Sequence, residues 1–362
     1  MKKAACFIIL LFFIGIYLIS AYNPIMKKIA PFRYALNSPF GADNYRFGDL
    51  FGFSYLSDFK IKEDKGKINI QPNNLKKNIN FYCVCDSYLW SFPFHDSVLF
   101  GVDKYYQSRW TYDEFLDENL DTSKINFLMI EMAEWYSKDF LSDSTDIYSR
   151  IKVKTNTGNN SFDNQFKFAN SQNKPNADFL TKFNKAIANK WINRNLEFNL
   201  FDYSFLTFFK ELKANLNYKL FDRINSDIEL SQSREYLFYK PTIDTNSTQS
   251  TFRFISDEEV VRMVNKINEI YYYYKAKGFD YIYFSIIPKP VTIIEPDRMP
   301  NNNQLIQRIQ NNKNLKAPVI DAYSILKKIR NNAYQKSDTH WTPIGFNLWV
   351  SELNNILKKL SK

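Results

Sequence analysis

The sequence predicts an α/β fold, a three-layer sandwich with a mostly parallel central sheet. Apolar runs of five to nine residues alternate with segments of helical periodicity, the pattern of a sheet covered by helices on both faces. The chain has 362 residues, of which 45% are hydrophobic and 17% aromatic, enough for one large core or two modest ones. A largely helical insertion and an N-terminal membrane anchor complete the predicted architecture.

The N-terminus predicts export. Two lysines, Lys2 and Lys3, precede an almost uninterrupted apolar run from Ala4 to Tyr22. That run is close to the lower limit of about 17–25 residues for a membrane span, and the lysines indicate a cytoplasmic N-terminus. Ile19-Ser20-Ala21 also resembles a weak cleavage site, so residues 1–22 are either a signal anchor or a cleaved signal peptide.

Changes in composition divide the remaining chain. Residues 23–75 are interrupted by prolines and glycines and are predicted to form an N-terminal collar without long elements. Residues 76–150 and 251–362 carry the alternating pattern and are predicted to form the main domain. Residues 151–250, which include a stretch rich in asparagine and serine at 156–176, are predicted to be a mainly helical insertion.

The elements follow from the same patterns. Buried strands are predicted at Ile79–Cys85, Lys124–Glu131, Phe279–Ile287 and Pro318–Ala322. Helices are predicted directly after Ser87 and at Tyr112–Leu120, Met132–Phe140, Ala177–Asn193, Tyr203–Leu220, Ser256–Lys277, Tyr323–Asn331 and Pro343–Lys359. Ser256 with its acidic first turn, and Thr342 followed by proline, are typical helix starts.

Cysteine content and charge limit the possible functions. Cys6 belongs to the apolar N-terminal run, and Cys83 and Cys85 lie two apart on one strand, so neither a disulfide scaffold nor a zinc site is indicated. No metal or cofactor is expected. The net charge of +10 is explained by lysines scattered over a solvated surface. The alternative explanation is an anionic partner, either an acidic polysaccharide or the membrane surface. Nucleic acid is not expected as a partner, because export separates the protein from it.

The candidate catalytic residues lie far apart in the sequence. Asp86 and Ser87 follow the first predicted strand, and active residues of parallel sheets gather beyond the carboxyl ends of strands. Asp338 and His340 lie two positions apart in a predicted loop. A serine hydroxyl with an Asp/His pair is the set that acyl transfer requires, since imidazole takes the serine proton and carboxylate orients the imidazole. His95, the second of only two histidines, is the competing base.

The order of these segments, Asp86-Ser87 first and Asp338-Thr339-His340 last, resembles the SGNH hydrolase superfamily. The segment Lys336–Thr342 (KSDTHWT) is similar to a signature of the alginate O-acetylation proteins within it. Phe284–Lys289 and Ile130–Glu134 resemble further segments of these proteins, and Val319-Ile320-Asp321 does so as well. The similarity covers about residues 79–140 and 257–355.

Three features depart from that family. Cys85 stands where glycine precedes Asp-Ser, and Trp135 stands where an arginine is usual after Glu134. Ser87 also precedes the Asp-His segment, whereas in the alginate proteins it follows. A catalytic triad is defined by geometry, so either chain order could form the same site.

The resemblance implies an exported O-acetyltransferase that acts on a cell-surface or exopolysaccharide through an acetyl-serine. Ser87, His340 and Asp338 would form the triad, and Trp341, Lys289 and Tyr88 are candidate substrate-binding residues. It further implies an acetyl donor supplied by a membrane-bound O-acyltransferase. The expected location is the bacterial cell envelope, with the anchor in the inner membrane and the catalytic domain in the periplasm.

Two other functions remain open from the sequence. A carbohydrate acetylesterase would use the same triad with water as acceptor, and the distinction depends on how well the site excludes water. A non-catalytic scaffold that binds polysaccharide is the third possibility, because Cys85 departs from the motif and no further oxyanion donor can be identified among the many asparagines.

Overall fold

The chain forms two compact units in the computed structural model, each built from two separate stretches of sequence. One unit comprises Met1–Lys60 and Asn159–Asn225, and the other comprises Ile61–Gly158 and Ser226–Lys362. The structure describes residues 2–36, 38–43, 46–61, 77–110, 116–141, 148, 151–153 and 192–361. The loop predicted at 156–176 and most of the helix predicted at 177–193 lie outside these residues.

Within the described residues, the helices and strands alternate over most of the chain. The α-helices are α1 (Lys2–Ala21), α2 (Asn23–Ala35), α3 (Phe51–Ser54), α4 (Ser87–Trp90), α5 (Glu134–Phe140), α6 (Ile192–Phe201), α7 (Thr207–Phe221), α8 (Asp257–Ala276), α9 (Pro290–Ile294), α10 (Leu305–Gln310), α11 (Ala322–Ile329) and α12 (Pro343–Leu360). The strands are β1 (Ile79–Cys85), β2 (Val102–Arg109), β3 (Leu116–Glu118), β4 (Ile125–Ala133), β5 (Ile151–Val153), β6 (Ile228–Leu230), β7 (Leu237–Tyr239) and β8 (Tyr281–Ile287).

The larger unit contains a four-stranded sheet with the order β2-β1-β4-β8, in which every neighbouring pair is parallel. The predicted α/β class with a mostly parallel sheet is confirmed. Every residue of β1 is buried, as expected for a strand covered on both faces. Aromatic rings stack across the strands, with Phe127 5.2 Å from both Phe81 and Tyr283 between ring centroids. Such aromatic pairs stabilise the fold by more than the burial of their apolar area alone would.

Two helix starts in this unit follow the predicted capping chemistry. Ser256 accepts a hydrogen bond from the backbone N–H of Glu259 at the start of α8. Thr342 accepts one from Gly345 at the start of α12, where Pro343 takes the first helical position. Each bond satisfies a donor that the helix itself leaves unpaired.

Several predicted elements near the sheet were wrong or incomplete. β2 was missed, because its sequence VDKYYQSR has no apolar run, a common property of edge strands. The helix predicted at Tyr112–Leu120 is contradicted by β3, which pairs with β5. Pro318–Ala322 contributes only a bridge between Val319 and Phe284.

The smaller unit is helical over its described residues. The helix α1 is 20 residues long and apolar enough to cross a membrane, and only 11% of its most hydrophobic window is buried. The prolines of the predicted collar do not prevent a long element, because α2 has Pro24 at its start and continues through Pro31. Arg33 on α2 donates a hydrogen bond of 2.7 Å to the carbonyl of Phe198 on α6, which ties the two helices together.

Candidate active site

The end of β1 is fixed by the carboxylate that follows it. One oxygen of Asp86 accepts the backbone N–H of Tyr88 at 2.9 Å and so caps α4. The other accepts the backbone N–H of Ala133, the last residue of β4, at 2.5 Å. Asp86 therefore holds the carboxyl ends of two neighbouring strands together and sets the turn at which Ser87 begins α4.

Ser87 is accessible to solvent at the start of this turn. It is partly exposed, whereas its neighbours Asp86 and Tyr88 are buried. Within the described part of the chain, no hydrogen bond joins Ser87 Oγ to His340. Catalytic hydrogen bonds are often long without substrate and shorten in the complex, and a contact between Ser87 and His340 stays a prediction.

His340 is oriented by Asp338 within a short buried loop. One carboxylate oxygen of Asp338 accepts both the backbone N–H of His340, at 2.9 Å, and the ring Nδ1–H, at 2.5 Å. With Nδ1 as donor, Nε2 is the acceptor nitrogen of the neutral ring, the tautomer that a general base needs. The side chain of His340 keeps 11% of its surface exposed, and that of Asp338 1%.

The loop that carries His340 is itself fixed at both ends. Tyr334 and Trp341 form an antiparallel bridge, and Thr342 N–H donates to the carbonyl of Ala333 at 2.8 Å. The hydroxyl of Tyr334 also donates to the carbonyl of Pro288, which directly follows β8. The loop is thereby attached to the same carboxyl edge of the sheet as Ser87.

Tyr88 connects the serine segment to the histidine loop. Its hydroxyl donates to the carbonyl of Thr339 at 2.7 Å, and its own carbonyl accepts the indole N–H of Trp341 at 3.1 Å. Its ring centroid lies 5.2 Å from that of His340. The residue directly after Ser87 thus contacts the residues on both sides of His340 as well as His340 itself.

A second acid lies beneath Asp86. The backbone N–H of Asp86 donates to Glu131 Oε2 at 2.9 Å, and both carboxyl groups are buried. Burial, and then the nearby charge of Asp86, raise the pKa of Glu131 well above its usual value. Burial also raises the pKa of Asp86, while backbone hydrogen bonds and the charge of His340 oppose this. Both effects on the pKa of Glu131 favour its protonated form.

An ion pair occupies the neighbouring strand ends. Lys289 Nζ lies 3.4 Å from Glu134 Oε1, and these side chains are 3% and 1% exposed. Glu134 Oε2 accepts the backbone N–H of Lys289 and the hydroxyl of Thr292, while Lys289 Nζ donates to the carbonyl of Gln249. Burial lowers the pKa of Lys289, and Glu134 opposes the change. The pair links the segments that follow β4 and β8.

The three candidate substrate-binding residues occupy core positions. Trp341 and Tyr88 have no exposed surface, and Lys289 is 3% exposed with its ammonium paired to Glu134. Their positions give no support to the prediction that they contact substrate. Tyr88 and Trp341 instead hold the serine and histidine segments against each other. One signal of this role was present in the sequence, since each is an aromatic residue directly adjacent to a candidate triad residue.

The competing base has a different environment. The side chain of His95 is half exposed, and its Nδ1 hydrogen-bonds to the hydroxyl of Ser97 and lies 3.7 Å from Asp96. Two features complete the candidate site: the contacts of Tyr88 with the histidine loop, which the sequence did not predict, and the buried acid Glu131, which lies in the segment Ile130–Glu134 noted for its resemblance. Glu131 could have been inferred from its place near the end of a buried strand.

Comparisons with known proteins identify no relative. No family model matches the chain, and no curated protein and no solved structure is significantly similar to it.

Proposed function

We propose that the protein is an O-acetyltransferase that modifies a polysaccharide through an acetyl-serine at Ser87. The observation that carries the proposal is the oriented Asp338–His340 pair, whose loop is bonded to the residue adjacent to Ser87. The resemblance of these two segments to the SGNH hydrolase superfamily supports the same reaction. The N-terminal apolar helix is consistent with a place at the bacterial cell envelope.

In the first half-reaction, His340 Nε2 accepts the proton of Ser87 Oγ as the oxygen attacks the acetyl carbonyl. The bond between the acetyl carbon and the donor's oxygen breaks, and the proton passes from His340 to that leaving oxygen. Asp338 stabilises the imidazolium that exists between these two transfers. The backbone N–H of Ser87 is proposed as one donor to the oxyanion.

In the second half-reaction, a sugar hydroxyl takes the place of the donor. His340 removes its proton, the sugar oxygen attacks the acetyl-serine carbon, and the proton returns to Ser87 Oγ as the acetyl group leaves. Water in place of the sugar would release acetate, which is the esterase reaction. A polysaccharide hydroxyl is the proposed acceptor, and a membrane-bound O-acyltransferase is the proposed source of acetyl groups.

The test is acetylation of the full chain by p-nitrophenyl acetate, followed by intact mass and peptide mapping. We expect one acetyl group on Ser87, and none in Ser87→Ala. Ser91→Ala is the matched control, since Ser91 is similarly exposed and directly follows α4. A folded protein that acquires no acetyl group at Ser87 would refute the proposal.

Two further arms identify the base and the acceptor. His340→Gln should abolish acetylation, whereas His95→Gln should leave it unchanged, and the reverse result would assign the base to His95. Adding an unacetylated oligosaccharide to the acetyl-enzyme should produce a sugar ester. Release of acetate alone would identify the esterase. A Ser87→Ala chain that retains full function in cells would indicate a non-catalytic scaffold.

A further inference from the structure

The polarity of α7 in the smaller unit is the reverse of that expected for a surface helix. Its inner face is polar: Lys210 donates to the hydroxyl of Tyr55 at 2.8 Å, and Glu211 pairs with Lys60 at 2.6 Å. Helices of soluble proteins bury their apolar side and expose their charges. Here the polar side chains are used for contacts within the protein.

The outer face of α7 carries an apolar stripe. Phe208, Leu212, Leu216 and Leu220 follow one another at four-residue spacing, which places them along one side of the helix. Their exposed fractions are 66%, 49%, 50% and 68%. A contiguous apolar surface of this kind marks an interaction site, whereas single exposed apolar residues do not.

This stripe continues toward the N-terminal apolar helix of the same unit. Phe205, just before α7, is 50% exposed and lies 6.0 Å from Phe40 between ring centroids. Phe40 lines an apolar groove of about 410 Å³ whose other walls include Phe12 of α1 and Phe32 of α2. The exposed apolar surface therefore runs from a helix that can cross a membrane to α7.

The last turn of α1 is part of the folded unit. Asn195 on α6 donates to the carbonyl of Ser20 at 2.8 Å, and Asn199 donates to the hydroxyl of the same serine at 2.8 Å. Ser20 and Ala21 are fully buried, in contrast to the exposed residues before them. If α1 crosses a membrane, the interface between the bilayer and water therefore lies beside α6, in the unit that also contains α7.

We propose that α7 lies in the plane of the bilayer interface, with the stripe Phe208, Leu212, Leu216 and Leu220 against the lipid acyl chains. An amphipathic helix binds a membrane in this way, with its apolar side among the upper acyl chains. Lys213 and Lys219 are exposed on the same side of α7 as the stripe and can extend their ammonium groups to anionic headgroups. The lipid contact is independent of the acetyl-transfer chemistry.

The test measures the depth of single labels in the full chain. Cysteine is introduced by Leu212→Cys or Leu216→Cys in a Cys6→Ser background, where the remaining cysteines are buried, and is labelled with an environment-sensitive fluorophore. The protein is reconstituted in phosphatidylcholine vesicles that contain one quarter phosphatidylglycerol, with or without bromine on the acyl chains. Asn217→Cys, outside the stripe of the same helix, is the matched control. Ile14→Cys in α1 is the positive control.

Brominated lipid should quench the labels at 212 and 216 by about half, as expected for acyl-chain contact, and should leave the label at 217 little changed. The proposal is overturned if the label at 14 is quenched and those at 212 and 216 are not. Aqueous iodide then separates the two reasons for failure. Quenching by iodide would place the stripe in water, and protection from both quenchers would identify a protein cover such as a second copy of this chain.

Discussion

Replacing Asp338 by asparagine should slow acetylation of Ser87 about a thousandfold while leaving the fold intact. The carboxylate faces the ring Nδ1–H of His340 at 2.5 Å and the backbone N–H of the same residue at 2.9 Å. Asparagine has nearly the same shape and keeps an amide oxygen as acceptor for the backbone bond. It loses the negative charge that stabilises the imidazolium during proton transfer.

The magnitude follows from the charge that is removed. Opposite unit charges about 4 Å apart attract by about 4 kcal/mol at an effective dielectric constant of about 20, which corresponds to about three powers of ten in rate. A triad carboxylate that becomes an amide is known to cost about ten thousandfold, more than the loss of charge alone supplies. The environment of Asp338 is nearly water-free, with 1% of its side chain exposed, so solvent cannot replace the lost charge.

The assay is single-turnover release of p-nitrophenol, with the acetyl-enzyme followed by mass. Asp321→Asn is the matched control, because Asp321 caps α11 through Ser324 N–H and asparagine caps a helix equally well. Circular dichroism and thermal melts establish that both variants are folded. An Asp338→Asn protein that is acetylated as fast as the unchanged chain would refute the role of Asp338.

Three further predictions concern stability and the rate of acetylation. Lys289→Met should destabilise the protein by about 3–5 kcal/mol in urea unfolding, because Glu134 is left buried without its partner; adding Glu134→Gln should restore part of the loss, and an equal loss in the double variant would contradict this. Burial, and then Asp202, raise the pKa of Asp43 to about 7. The protonated form of Asp43 therefore favours folding. Its contribution to the free energy of unfolding should be complete below about pH 4 and should be lost as the pH rises through 7. Asp43→Asn should remove roughly 2–4 kcal/mol of that dependence, and melts with the same pH slope in both proteins would refute it. Tyr88→Phe removes the hydrogen bond to the Thr339 carbonyl, so it should lower stability by about 1 kcal/mol and slow acetylation, while the protein accepts the same ester as donor. An unchanged acetylation rate would show that this hydrogen bond does not position the histidine loop.

The sequence predicted the parts of the fold that depend on local pattern. β1, β4 and β8 are apolar runs, and α8 and α12 begin at capping residues, so their bounds fall within about two residues of those expected. β2 could not be recognised, because its polar residues become a strand only by pairing with β1. β3 was misjudged for the same reason, since three residues paired to a distant segment leave no local signal.

The candidate site was predictable only in its chemistry. Asp338 and His340 are two positions apart, so their mutual bond is local and a sequence can suggest it. The contact between Tyr88 and the histidine loop spans about 250 residues and depends on the whole fold. Burial of Lys289 was also invisible, because its partner Glu134 lies 155 positions away. Whether Ser87 completes a triad remains a prediction.

Tyr88 and Thr339 lie 251 positions apart along the chain. The serine segment is therefore synthesised well before the histidine loop that it contacts. At a translation rate of about 5–20 residues per second, the serine segment would emerge tens of seconds before the histidine loop exists. In the proposed mechanism, Ser87 has no general base during that interval and cannot form an acetyl-serine. The proposed acetyl transfer could therefore begin only after the histidine loop, which precedes α12, has been synthesised.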